Sequence, residues 1–109
     1  MVKHNFGIMQ TAPKKGKRFN EYAPEEYNCI SVDDDDILPL LEELRVAKCF
    51  WYTLDRPEFG LAYYGVTLIP PESLGSIIET IWHNSNLSDL MALFVEAENT
   101  KKYVIHFGV

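Results

Sequence analysis

Cysteine is scarce in this chain. Cys29 and Cys49 are the only two in 109 residues, they lack C-x-x-C spacing, and each stands among apolar neighbours. That points away from a disulfide framework or a zinc site, and reads as two buried free thiols in a reducing cytosol. Long apolar runs are missing as well. None approaches the roughly 20 residues that span a bilayer, and the N-terminal MVKHNFGIMQTAPKKGKRF has neither the apolar region nor the cleavage site of a signal peptide. A cytoplasmic protein that does not enter the membrane is the expectation. There is no internal repeat, Gly-rich phosphate loop, nucleophile elbow or H-E-x-x-H. Nothing indicates an enzyme, although triads built from distant residues leave no motif; the expectation leans to a non-enzyme with no cofactor and no metal.

Basic residues are few and unevenly placed. Residues 1–18 hold Lys3, Lys14, Lys15, Lys17 and Arg18 and no acid. The rest of the chain carries all sixteen acids against five bases, so a net charge of −6 conceals a basic leader and a strongly acidic body. An acidic body repels nucleic acid and anionic lipid and attracts basic proteins.

What is present suits a single folded domain over 1–109: an apolar fraction of 47% is enough for one core. Residues 1–26 read as a basic arm or loop with a short strand, HNFGIM, and 27–109 as an α+β core. YNCISV is a strand. Ile37, Leu38, Leu40, Leu41 and Leu44 follow a helical period, with Pro39 in the first turn and the N-cap at Asp35 or Asp36. AKCFWYTL and GLAYYGVTLI form a hairpin across LDRPEFG. PPESLGSIIETIWHN opens a helix at Pro71, with Leu74, Ile77, Ile78, Ile81 and Trp82 as its stripe. A third helix turns Leu87, Leu90, Met91 and Phe94 inward, after Asn86 and Asp89 in a capping-box spacing. KYVIHFGV is the last strand. The order β-α-β-β-α(α)-β is that of a ferredoxin-like split βαβ domain, an antiparallel sheet with helices on one face. The strands alternate poorly between apolar and polar, so the second sheet face also needs cover, from the arm, a homodimer mate or a partner.

Asp33-Asp34-Asp35-Asp36 stands at the strand–helix junction. Three readings apply: helix capping, an electrostatic recognition surface, and a divalent-metal site. Aspartate is a favoured N-cap, and acids in the first turn gain about 0.3–1 kcal/mol each from the helix dipole. One or two would suffice, which leaves a surplus for recognition. The calcium-loop pattern is absent, and contiguous aspartates point in alternating directions.

The aromatic strands invite comparison with RNA-recognition domains, which stack bases on their central strands. Here FGLAYYGVTL places its aromatics out of register and the body charge opposes phosphate, so nucleic acid is not the expected partner. The KKGKR run reads as a solvated loop. His83 fits a helix end, where a cation is favourable. His106 shares a strand face with Val104, opposite Ile105 and Phe107, and would line a shallow pocket if Trp51 and Tyr63 shared that face.

HNFGIM, YNCISVDDDD, LAYYGVTLIPP and VIHFG together resemble a group of small bacterial proteins of unassigned function, a resemblance that implies only that the four stretches form one unit. In acidic composition the chain is similar in character to the immunity proteins that inhibit nuclease toxins. The leading expectation is a non-enzymatic domain that binds a basic protein, in its sharpest form a toxin inhibitor. Asp33, Asp34, Asp35, Glu25 and Glu26 would supply charge, and Trp51, Tyr52 and Tyr63 aromatic anchors. The alternative is a small-ligand domain or small enzyme with Trp51, Tyr63 and His106 around a pocket on the open sheet face; an RNA-binding domain comes third.

Overall fold

The computed structural model describes residues 2–109. The elements run β1 (Lys3–Ile8), β2 (Ile30–Asp33), α1 (Asp34–Ile37), β3 (Lys48–Trp51), β4 (Pro57–Phe59), β5 (Val66–Ile69), α2 (Pro71–Ile81), α3 (Ser88–Asn99) and β6 (Val104–Phe107). All six strands belong to one antiparallel sheet in the order β2-β1-β6-β5-β3-β4. The α+β class is the one expected from the sequence. The four-stranded ferredoxin-like order does not form. β1, which the sequence presents as part of an arm, lies in the middle of the sheet, and β2 is moved to an edge.

The reason is the double-sided burial of β1. His4, Asn5, Phe6 and Gly7 are all buried, and a strand buried on both faces must pair both edges or leave N–H and C=O groups unsatisfied. Phe6 faces the helices and meets Phe94 of α3 edge-on, ring centroids 5.7 Å apart. Around that pair pack Ile69, Leu74, Ile77, Leu90 and Val104. Each such side chain gains about 1.5–3 kcal/mol from leaving water. The stripe expected on α2 is correct for Leu74, Ile77 and Ile81, but Trp82 is the C-cap and is exposed.

The helix expected over 37–44 is one turn only. It starts at Asp34 with Asp33 at the N-cap, two or three residues before the expected N-cap, and breaks into 3-10 turns at Leu38–Leu40 and Glu43–Val46. Pro39 donates no hydrogen bond and sits in the first turn of the Leu38–Leu40 segment, so the α-helix cannot run through it. The expected hairpin is also re-cut. β4 forms inside the predicted turn, and residues 61–65 are a loop rather than strand. That loop is held by the chain's end, where Gly108 N–H donates to Gly65 O at 2.8 Å and Val109 N–H to Tyr63 O at 2.8 Å. Position 108 must be glycine here, because a Cβ would collide with the Tyr63 carbonyl.

The second sheet face is covered by the protein itself. Met9, Val66, Leu68, Ile105 and Phe107 form its apolar surface, with Phe19, Tyr27 and Cys29 of the 9–29 connection packed across it. Phe19 N–H donates to Tyr52 O at 2.7 Å. The crossing is so close that a Cβ on Gly7 would stand 2.7 Å from Tyr27 O and 2.8 Å from Cys29 Sγ, which explains a glycine in a central strand. The basic arm is thus the missing layer. Grooves remain beside it, among them one of about 510 Å³ lined by Tyr22, Tyr52, Val66 and Phe107. Among the described residues no helix is long and apolar enough to cross a membrane.

Candidate functional site

Strand register builds one row of side chains across the helix-facing side of the sheet. Trp51 pairs with Thr67, Thr67 with His106, and His106 with Phe6. His4 stands two residues before Phe6 on the same face. His4, His106 and Thr67 are each 0% exposed. Burying three polar side chains is costly unless every one is bonded, and here they are linked. Thr67 Oγ1 lies 3.3 Å from His106 Nδ1, and His106 Nε2 lies 2.9 Å from His4 Nδ1. His4 Nε2 lies 2.8 Å from Asp34 Oδ1, while Tyr63 O–H donates to Asp34 Oδ2 at 2.9 Å.

For singly protonated rings, donor and acceptor capacity sets the direction of this relay. The Asp34 carboxylate only accepts, so His4 donates from Nε2 and its Nδ1 is an acceptor. His106 then donates from Nε2 and accepts at Nδ1 from the Thr67 hydroxyl. Thr67 Oγ1 in turn accepts the Ala62 N–H at 2.8 Å. Every polar atom in the row is used. The two rings stack with centroids 5.1 Å apart, and Tyr63 meets His4 edge-on at 5.5 Å.

The electrostatics follow from the geometry. Burial, reinforced by the neighbouring His4, holds His106 well below its ordinary value. The hydrogen bond from His4 lowers the Asp34 carboxyl; burial opposes that, and the Tyr63 hydroxyl adds to it. The same Asp34 bond raises Tyr63. Burial pushes the Cys49 thiol up to about 12 and Cys29 to about 11, and both are free.

The aspartate run is therefore divided. Asp34 turns inward, with its side chain 15% exposed. Asp33 turns to Lys3, Oδ1 to Nζ 2.8 Å, a Coulombic contact without the angle of a hydrogen bond. Asp35 is exposed, and Asp36 reaches Asn86 Nδ2 at 3.5 Å. Asp33 and Asp36 line, with Asp89 of α3, a shallow groove of about 150 Å³ beside β2, where Lys3 is the one cation among the lining residues. None of the four aspartates makes a side-chain capping bond to α1.

The other residues singled out in the sequence are scattered. Glu25 and Glu26 are exposed on the turn Pro24–Tyr27, at the opposite end of β2 from the aspartates. Trp51 is half-buried; its indole N–H donates to Gly60 O at 3.0 Å and Arg56 covers its ring at 5.4 Å. Tyr52, at φ +67°, lies over Gly65 and carries Arg18 at 5.3 Å from its ring centre. Trp51 and His106 do share a face, through the register Trp51–Thr67–His106, but His106 is sealed between Phe6, His4 and Thr67 and borders no open space.

His4 and Thr67 are the functional-type residues that the sequence did not reveal. The signal was a polar side chain on the apolar phase of a strand, in HNFGI as in VTLI and VIHF, each needing a buried partner. The four stretches that carry the resemblance are those that supply the relay: His4, Asp34, Tyr63 with Thr67, and His106. Among the described residues no group of three or more His, Cys, Asp or Glu is arranged to hold a metal ion. No protein-family model, curated protein or solved structure matches the chain, so what it does is read from its own residues.

Proposed function

We propose that the protein is a non-enzymatic binding domain whose aspartate corner engages a basic partner protein. The observation that carries this reading is the convergence of Asp33, Asp36 and Asp89 on one groove, with Asp35 exposed on the same turn. Asp34 is not part of that surface, because it is committed to His4 and Tyr63. The relay has a structural role. Its histidines are out of reach of any substrate, and it ties β1, β5, β6 and the 61–65 loop to the start of α1. The outward carboxylates are thereby presented on a fixed scaffold, which lowers the cost of ordering them on binding. A body with this charge raises association rates with basic proteins through long-range steering. In its sharpest form the partner is a nuclease-like toxin whose basic cleft the corner covers, and the protein is its inhibitor.

The test compares wild type with the Asp35→Lys/Asp36→Lys variant as bait in the native lysate, at low and high salt. A basic protein held by wild type at low salt, released at high salt and not held by the variant supports the reading. A partner held equally by both baits refutes it.

A further inference from the structure

We infer that the partner docks by adding an extended, Lys- or Arg-bearing segment to the free edge of β2. This rests on the acidic-corner reading and specifies its mode. Strand register decides which groups are free. Asp34 N–H donates to Val2 O at 3.0 Å, so Val2 and Asp34 form a hydrogen-bonded pair in the β1–β2 ladder. Alternation makes His4–Val32 and Phe6–Ile30 bonded pairs as well, while Lys3–Asp33 and Asn5–Ser31 are not. The N–H and C=O of Ser31 and the N–H of Asp33 therefore point away from the sheet. The C=O of Asp33, at the N-cap, is taken by the first turn of α1. Ser31 is exposed, and no other strand lies beyond β2.

The opposite edge is blunted and this one is not. Trp51 N–H donates to Arg56 O and Gly60 N–H to Ala47 O. In β4 it is therefore Pro57 and Phe59 that face outward, and Pro57 has no N–H to offer. β2 has no proline and no bulge. What guards it is charge: Asp33, Asp36 and Asp89 line the groove along its flank. A second copy of this chain would bring its own aspartate corner and a net charge of −6 to that edge, so self-pairing is disfavoured. A basic strand meets open backbone groups together with three carboxylates, of which only Asp33 is paired with a cation, Lys3, the combination that gives strand addition both affinity and choice of partner.

The probe is a synthetic peptide of about ten residues alternating Lys and Val, with a Glu/Val peptide as control, titrated at millimolar concentration and followed by amide NMR and hydrogen exchange. Ser31→Pro removes the outward N–H without touching the backbone bonds to β1, at an edge where proline is tolerated. Ser31→Ala controls for the hydroxyl, which donates to Asn5 Oδ1 at 2.7 Å. The inference predicts slowed exchange at Ser31 and Asp33 with the Lys peptide alone. It also predicts at least about a tenfold loss of affinity in Ser31→Pro and less than about a twofold change in Ser31→Ala. Salt-sensitive binding that Ser31→Pro leaves intact overturns the edge while keeping the acidic-corner reading. Binding that survives both Ser31→Pro and Asp35→Lys/Asp36→Lys overturns both. Failure of the Lys peptide to bind at all overturns the edge.

Discussion

Replacing His106 with leucine tests the relay where it is most constrained. Leucine fills a similar volume, so the main loss is polar. His4 Nδ1 loses its donor, and the Thr67 hydroxyl loses its acceptor, both at sites that water does not reach. An orphaned buried polar atom costs about 1–3 kcal/mol. Two of them, partly offset by the added apolar burial, amount to about 2–3 kcal/mol near pH 7.5. With a urea dependence of about 1.5 kcal/mol/M, the midpoint falls by about 1.3–2 M. The pH dependence makes the test specific. His106 is held below its ordinary value of 6.5 in the folded state. Its contribution is complete above about pH 6.5 and is lost as the pH falls, because only the unfolded chain then binds the proton. Wild type loses up to about 1.4 kcal/mol per pH unit through this group. His106→Leu does not, so the gap between the two proteins narrows as the pH falls below about 6.5. Urea denaturation of both at several pH values is the assay. A constant offset at every pH, or an offset under about 0.5 kcal/mol near neutrality, refutes the relay as drawn.

Three further outcomes are expected. Gly7→Ala forces the Tyr27–Cys29 crossing off the sheet and costs about 1–3 kcal/mol, seen as a lower melting temperature and faster proteolysis within 9–29. Asp34→Ala lowers the urea midpoint while Asp35→Ala leaves it in place. Asp34→Ala also removes the part of the acid-limb loss that wild type shows as the pH falls below about 3.9, since Asp34 is lowered in the fold. Neither Cys49 nor Cys29 reacts with a thiol reagent near neutral pH in the native protein, because burial holds both as thiols; both react in urea.

The sequence carried the elements better than their arrangement. Helical periodicity placed α2 and α3, and β-branched runs placed β2, β3, β5 and β6, because those signals are local. The position of β1 was not local. Its six residues look like a leader, and only the need of His4, Phe6 and Gly7 for cover on both faces sets it between β2 and β6. Pro39 was read as a start signal when it acts as a break. The need to cover the second sheet face was legible in the mixed alternation of AKCFWYTL and GLAYYGVTLI, and the arm was among the candidates to cover it. Gly7 gave no hint that it would be the point of contact. The aspartate run raised the right question but concealed its division. Which carboxylate turns inward depends on His4 and Tyr63, which lie 30 and 29 residues from Asp34 in sequence.

The most direct test of that division is a carboxyl-carbon NMR titration of the aspartates, with histidine nitrogen spectra recorded alongside. The account predicts an Asp34 midpoint below the ordinary aspartate range and a His106 that stays neutral well below its ordinary value. An Asp34 midpoint in the ordinary range, or a His106 that takes up its proton at its ordinary value, would contradict it.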